Sequence, residues 1–470
     1  MAGAGAGTGE GGDVRSVIVV GAGVFGLTTA LSLSYRPAFK NCTITVVDRR
    51  PFPAADGASI DSSRIIRADY SDPVYAALAA DALAIWRLPE RHPDDSTAGH
   101  TSRGDDDGGG NGRSGGSGSV YEGVGAGGRY NESGLVLVSD GSVSYVSQSY
   151  ENVKSQFEEG DVEMLADKEG IRAAMGTGGA VGCSGYINRR SGWADARAAM
   201  MWVRERCIGR NIHFLHDTVR SLSIRNDTNT VTGVVMNGGE VVDADLTILA
   251  AGAWTPSLVP LGGRAVCTAQ VMAYVPVTAA EEAALVGMPV TLNLSTGLFV
   301  FPPRGGELKI ARHAYGYVNH THDTDASGEV EGESKVGKVS RVVTGVGIPE
   351  RDEGVLSAGL AEMVPELAGR KFSKTRLCWY TDTPTGDFIV GYHPTLSNLF
   401  LATGGSGHAF KFLPVLGEKI ADGVMGYLEP SLAERWAVRG CVDGMVVTRD
   451  GSRAGEVGVE LGSVMPLDYN

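Results

Sequence analysis

A chain of 470 residues exceeds what one ordinary hydrophobic core holds and predicts two packed domains. Its apolar fraction of 43 % is that of a globular protein, while a net charge of −14 argues against nucleic-acid binding through basic patches. No apolar run approaches the roughly 18 residues a membrane span needs, so neither nucleic acid nor membrane is an expected partner.

In chain order, residues 1–13 are an Ala/Gly-rich leader predicted to be disordered. Val14 to Val20 reads as a strand buried on both faces, Leu27 to Tyr35 as a helix closed by Pro37, and Thr43 to Val47 as a second buried strand ending at Asp48. Residues 93–120, rich in Gly, Asp and Ser, have nothing to bury and predict a disordered insertion without chemistry of its own. Strands are predicted at Gly134–Val138 and Ser142–Val146, and helices at Val153–Phe157, Asp167–Met175 and Ala194–Cys207. The strand-rich run from Ile212 to Leu249 contains the hairpin turn Asn237-Gly238-Gly239. Further strands are predicted at Ala265–Pro276, Leu298–Pro302, Leu308–Ala311, Phe388–Val390 and Leu399–Ala402, with a polar loop at Thr321–Lys335 and a helix at Lys411–Tyr427. The tail beyond Pro430 carries little signal.

The six cysteines, at 42, 183, 207, 267, 378 and 441, form no close pairs and predict a reducing compartment rather than disulfides or a metal site. With no basic-then-apolar leader and no small-basic-leucine ending at Leu467-Asp468-Tyr469-Asn470, the expectation is a cytoplasmic location.

Chemistry is suggested first by Gly21, Gly23 and Gly26 between a buried strand and a helix. Gly21 makes the tight turn, Gly23 lets a pyrophosphate approach the backbone, Gly26 allows close helix–strand packing, and Val24 between them is a further candidate cofactor contact. Asp48, at the end of the next strand, is placed for a ribose hydroxyl. Together these predict a dinucleotide cofactor without separating FAD from NAD. The β-meander before Leu246, followed by Ala251, Gly252 and Trp254, is of the kind inserted in FAD-binding versions of this fold. Two further segments stand out: Cys378-Trp379-Tyr380-Thr381-Asp382-Thr383-Pro384, and the glycine loop Gly404 to Lys411, whose N–H groups suit an anion or the polar edge of a ring system. On residue chemistry alone Cys378 is a buried small residue, His408 is structural, Arg64 and Arg67 belong to a solvated turn, and Lys309 faces solvent from an edge strand.

As a set, these motifs resemble the FAD-dependent amine oxidases of the D-amino-acid-oxidase superfamily, in particular the monomeric sarcosine, pipecolate, saccharopine and fructosyl amino acid oxidases (amadoriases). The resemblance covers most of residues 14–430 outside the 93–120 insertion. It implies FAD linked covalently through Cys378, which matches the cysteine of the family's CxYTxTP segment. It implies that Arg67 and Lys411 bind a substrate carboxylate, for which the planar fork of arginine is suited. Arg64 would lie by the flavin face, Lys309 would promote reaction with O2, and His313 would shape the substrate pocket. Arg49, Ser63, Val219, Gly405, Gly407 and His408 complete the implied cofactor contacts, together with Lys411.

The implied fold is α/β: a Rossmann-like FAD-binding domain (14–92, 191–265 and 375–430) interleaved with an α+β substrate domain on a mixed or antiparallel sheet (121–190 and 266–374), and a tail, 431–470. The implied partners are a small amine or amino acid and O2, and the implied state is a monomer. The sequence departs from the pattern in its insertion, in Asp48 where many relatives have glutamate, and in its ending. Gly192-Trp193-Ala194-Asp195 is similar to the fungal saccharopine/amadoriase branch. The expected activity is oxidation of a secondary amine or N-substituted amino acid to an imine, with O2 reduced to H2O2, in a specialised pathway. Alternatives are a fructosyl amino acid, saccharopine or pipecolate oxidase, a dehydrogenase using another acceptor, and a non-catalytic flavin-binding scaffold.

Overall fold

The computed structural model describes residues 14–90, 118–321, 339–439 and 445–467. The predicted disordered leader, nearly all of the 93–120 insertion, and residues 322–335 of the predicted polar loop lie outside these.

The first sheet has six strands. Its order is Ile389–Tyr392, Leu399–Thr403, Leu246–Leu249, Ser16–Val20, Thr43–Asp48 and His213–His216, and all neighbours are parallel except the first pair. Val17 to Val20 are buried, as expected for a strand covered on both faces. Helix Val24–Ser34 follows directly, with buried side chains all round it, because helices Leu413–Val424 and Ala196–Gly209 pack against it. A three-stranded antiparallel meander, Val219–Arg225, Thr230–Met236 and Val241–Asp243, precedes the strand at Leu246.

The second sheet is mixed and ten-stranded, and Val266–Pro276 is its longest strand. That strand pairs antiparallel with Glu307–Arg312 on one side and Lys374–Asp382 on the other, in registers that set Lys309 opposite Tyr274 and Cys378 opposite Gln270. Lys309 and Cys378 thus flank one strand. A small sheet of Arg64–Ile66, Gly192–Ala194 and Tyr130–Asn131 carries Arg64 and Arg67 towards them.

Several expectations are corrected. Ser142–Val146 is not a strand: helix Ser144–Lys154 occupies this stretch and buries Tyr145, Val146, Ser149 and Val153, one helical face. Five residues were too few to separate a period of two from one of 3.6. The helix predicted at Val153–Phe157 ends at Lys154. Ala194 closes a strand, and Asp195 caps the helix after it by accepting from Ala198 N. Strand Lys374–Asp382 belongs to the mixed sheet, so the boundary at 375 falls within it. The tail contributes helix Pro430–Arg435, the fully buried Trp436, and a strand at Val459–Glu460 that pairs with Tyr317–Val318.

Candidate active site

The turn after Ser16–Val20 is built around three glycines that differ in what they permit. Gly21 has φ +109°, and a Cβ there would lie 2.4 Å from Ala250 O; at Gly26 it would lie 1.8 Å from Gly21 O. At Gly23 it would meet only Ser59 Oγ, at 3.2 Å. Gly21 and Gly26 therefore serve backbone packing, whereas Gly23 keeps a side chain away from the helix N-terminus, where Val24 N donates to Ser59 Oγ at 2.9 Å. Asp48 Oδ2 accepts from Ala22 N at 2.8 Å, which fixes the carboxylate beside the turn.

A slot of about 420 Å³ runs over this turn. Its lining includes Asp48, Arg49, Val219 and Trp254, with the Arg49 guanidinium 4.1 Å over the Trp254 ring. Gly21, Gly23, Val24, Ala251 and Gly252 also line it, as do Arg64, Tyr380, Gly405, Gly407 and His408. A ribose acceptor at Asp48, a helix N-terminus approached over Gly23, and walls formed by Tyr380 and the Gly405–Gly407 loop suit the three parts of FAD. Of the predicted cofactor residues, Gly26, Ser63, Cys378 and Lys411 do not line this slot. Cys378 is fully buried, and its Sγ lies 3.8 Å from Arg64 Nη2.

A second cavity, of about 70 Å³, shares Arg64, Tyr380, Gly407 and His408 with the first and adds Arg67, Lys309, His313 and Lys411. Arg67 is 6 % exposed and its Nη1 has no hydrogen-bond partner, while Nη2 is 3.4 Å from Tyr145 OH. Lys411 Nζ donates to Tyr70 OH and to His408 O, both at 2.9 Å. Tyr70 OH in turn lies 2.9 Å from His408 Nδ1, and His408 Nε2 lies 2.8 Å from Gly386 O. That carbonyl can only accept, so the His408 proton is assigned to Nε2 and Tyr70 donates to Nδ1. Burial, then the adjacent Arg67, push the Lys411 pKa well down. An arginine with an unfilled donor beside a lysine discouraged from charging is a pocket that a carboxylate completes.

Behind Arg64 lies a charged cluster. Lys309 Nζ donates to Asp61 Oδ2 at 2.6 Å and to Ser63 O at 2.9 Å, and Tyr274 OH donates to Asp61 Oδ1 at 2.6 Å. Arg64 also pairs with Asp61 and donates to Ala58 O. Burial works against the Asp61 carboxylate, but Lys309, Arg64 and Arg376 outweigh it and hold its pKa well below the usual range. Burial lowers the Lys309 pKa to about 8 against the attraction of Asp61. His313, just past the strand carrying Lys309, has Nε2 3.3 Å from Ser452 Oγ. Burial, then Arg453, push its pKa well below normal, so the imidazole is neutral.

The family resemblance implies that Arg64, Arg67, Lys309, His313 and Lys411 share one site, and the structure brings all five to this cavity. Sequence reasoning gave no role to Asp61, Tyr70, Tyr145 or Tyr274. Asp61 opens the Ser-Ser-Arg segment and Tyr70 follows Arg67 by three residues, so both were within reach of the motif. Nothing in the tail signalled Ser452 or Arg453. Among the described residues there is no cluster of metal-ligating side chains, and no helix is long and apolar enough to cross a membrane.

Comparison with known proteins matches residues 16–104 and 120–423 to the DAO family, described as FAD dependent oxidoreductase. The chain is 32 % identical to the amino acid oxidase imqH of Aspergillus flavus, over 87 % of this chain and 92 % of that one. It is 26 % identical to the L-saccharopine oxidase of Schizosaccharomyces pombe, over 90 % and 93 % of the two chains. Among solved structures, the fructosamine oxidase Amadoriase II of Aspergillus fumigatus superposes with a TM-score of 0.74 at 25 % identity, covering 98 % of this chain and 99 % of the other.

Proposed function

This chain belongs to the DAO family of FAD dependent oxidoreductases, and from that premise we propose that it oxidises the C–N bond of an N-substituted α-amino acid bound through its carboxylate. At the family level it is an FAD-dependent oxidase acting on CH–NH groups of amines or amino acids. FAD bound in the slot would supply the two-electron acceptor, with O2 taking the electrons to give H2O2. The observation that carries the carboxylate reading is the unfilled Nη1 of buried Arg67 in the cavity it shares with Lys411.

In this scheme Arg67 and Lys411 take the two carboxylate oxygens and fix the Cα and amine towards Arg64 and Tyr380, where the two cavities meet. Orientation of this kind accounts for much of the rate enhancement in such enzymes. Lys309, held as an ammonium by Asp61, offers positive charge where oxygen is reduced. Cys378 is proposed as the covalent attachment point of FAD, supported by its CxYTxTP context and its contact with Arg64, which lines both cavities.

Within N-substituted amino acids, a fructosyl amino acid, saccharopine or pipecolate is a second reading. The names of the relatives above support it more directly than they support an N-methyl amine of a specialised pathway. A peroxide-release assay across sarcosine, N-methyl aromatic amino acids, pipecolate, saccharopine and fructosyl-valine, each run beside the corresponding amine that lacks the carboxylate, tests the class. Turnover confined to members carrying a free carboxylate is expected. Equal turnover of simple amines without one would overturn the proposal.

A further inference from the structure

The tail, silent in the sequence, reaches the substrate cavity at one turn. Asp450 accepts from Ser452 N at 3.0 Å, and Ser452 Oγ donates to Asp450 Oδ1 and Oδ2 at 2.8 Å each. The same Ser452 Oγ, in a residue 3 % exposed, lies 3.3 Å from His313 Nε2. A serine hydroxyl has one hydrogen. With that hydrogen committed to the carboxylate, Oγ can only accept from the imidazole, which assigns the His313 proton to Nε2.

The next residue holds the arrangement in place. Arg453 Nη2 donates to Asp382 Oδ1 at 2.6 Å and to Ser406 O at 2.8 Å, and Nη1 donates to Ala314 O at 3.2 Å. Arg453 therefore ties together the strand carrying Cys378, the glycine loop and the residue after His313. Tyr315 N donates to Ala454 O at 3.0 Å, so the tail runs alongside the His313 segment as a short ladder. Among the described residues His313 Nδ1 has no hydrogen-bond partner, and His313 lines the cavity that also holds Arg67 and Lys411.

We propose that the turn Asp450–Arg453 is part of the substrate site: through Ser452 it holds His313 as the Nε2–H tautomer, so that Nδ1 accepts a hydrogen bond from the N–H of the bound amine. Ser452 and Asp450 are positioning residues that act through His313. Burial and Arg453 keep the ring neutral, which preserves the Nδ1 lone pair. A polar acceptor here complements the carboxylate clamp: Arg67 and Lys411 fix one end of the amino acid, and His313 orients the nitrogen lone pair relative to the bond that breaks. The inference rests on the amino-acid reading for the identity of the N–H donor, whereas the tautomer itself does not depend on it.

The test is 15N-edited NMR of the histidine rings in the full-length FAD-loaded protein, with His313 assigned through His313→Gln. Wild type and Ser452→Thr are expected to show His313 protonated on Nε2, and Ser452→Ala is expected to lose that preference. In anaerobic reduction, Ser452→Ala is expected to weaken apparent substrate affinity about tenfold, the scale of one hydrogen bond. Ser452→Thr should restore it, and Ser452→Ala should have no added effect in a His313→Gln background. An Nδ1–H tautomer in wild type, or an Nε2–H tautomer that survives Ser452→Ala, would overturn the inference and leave the proposed function standing. If no amine reduces the flavin while the tautomer is as stated, it is the functional reading that fails, and the Nδ1 acceptor role fails with it.

Discussion

Asp61 and Lys309 form a buried ion pair, Oδ2 to Nζ 2.6 Å, with side chains 1 % and 4 % exposed. The register of the mixed sheet makes the pair possible. Lys309 stands opposite Tyr274, and Tyr274 OH completes the carboxylate from its other oxygen. A lone buried ammonium would deprotonate, and Asp61 is what opposes this.

Lys309→Met is therefore expected to slow reoxidation of the reduced flavin by O2 much more than reduction of the flavin by substrate. With Lys309 near 8, the ammonium is present below that pH and is lost as pH rises through it. Asp61→Asn removes the attraction that opposes burial, so this loss moves to lower pH. Stopped-flow oxygen reactions as a function of pH check both variants. An unshifted profile in Asp61→Asn would remove the positioning role of the carboxylate.

Arg67→Met removes one arm of the carboxylate clamp. Loss of charged hydrogen bonds of about 1.5–3 kcal/mol predicts roughly ten- to hundredfold weaker binding of carboxylate ligands. Flavin content should not change, because Arg67 does not line the cofactor slot. Titration of flavin absorbance with a non-reactive carboxylate gives the comparison.

The three turn glycines should separate by phenotype. Gly21→Ala and Gly26→Ala place a Cβ 2.4 Å and 1.8 Å from backbone oxygens, so both are expected to lower the melting temperature. Overpacking of this kind costs about 1–3 kcal/mol or more. Gly23→Ala meets only a serine hydroxyl and is expected to fold while holding FAD less tightly. Thermal melts with FAD content measured in parallel distinguish the two effects.

Cys378→Ala is expected to convert covalent FAD to dissociable FAD. Intact mass of the denatured wild type should exceed the chain mass by about one FAD, localised to the Cys378 peptide. A wild type that releases all its flavin on denaturation would remove the proposed link.

The nucleotide end was legible because its signals are local: three glycines, a buried strand before them and Asp48 at the end of the next strand. Arg67, Lys309 and Lys411 were legible only through the family pattern, since a lysine on an alternating strand otherwise reads as solvent-facing. What joins them was not. Tyr274 lies 213 residues from Asp61 in sequence, and Ser452 lies 139 from His313, so only the folded sheet brings them together. Ser142–Val146 misled because Val and Tyr favour strands, while packing against the neighbouring sheet decided for a helix.

Whether the substrate carboxylate is read by Arg67 is decided by anaerobic reduction of the bound flavin, using an N-methyl amino acid and the N-methyl amine obtained by removing its carboxylate, each with wild type and Arg67→Met. Fast bleaching of the wild-type flavin by the amino acid alone is expected, with a loss in Arg67→Met that leaves the poor reaction of the amine unchanged. Equal bleaching by both compounds, or an Arg67→Met variant that still prefers the amino acid as strongly as wild type does, would contradict that role of Arg67.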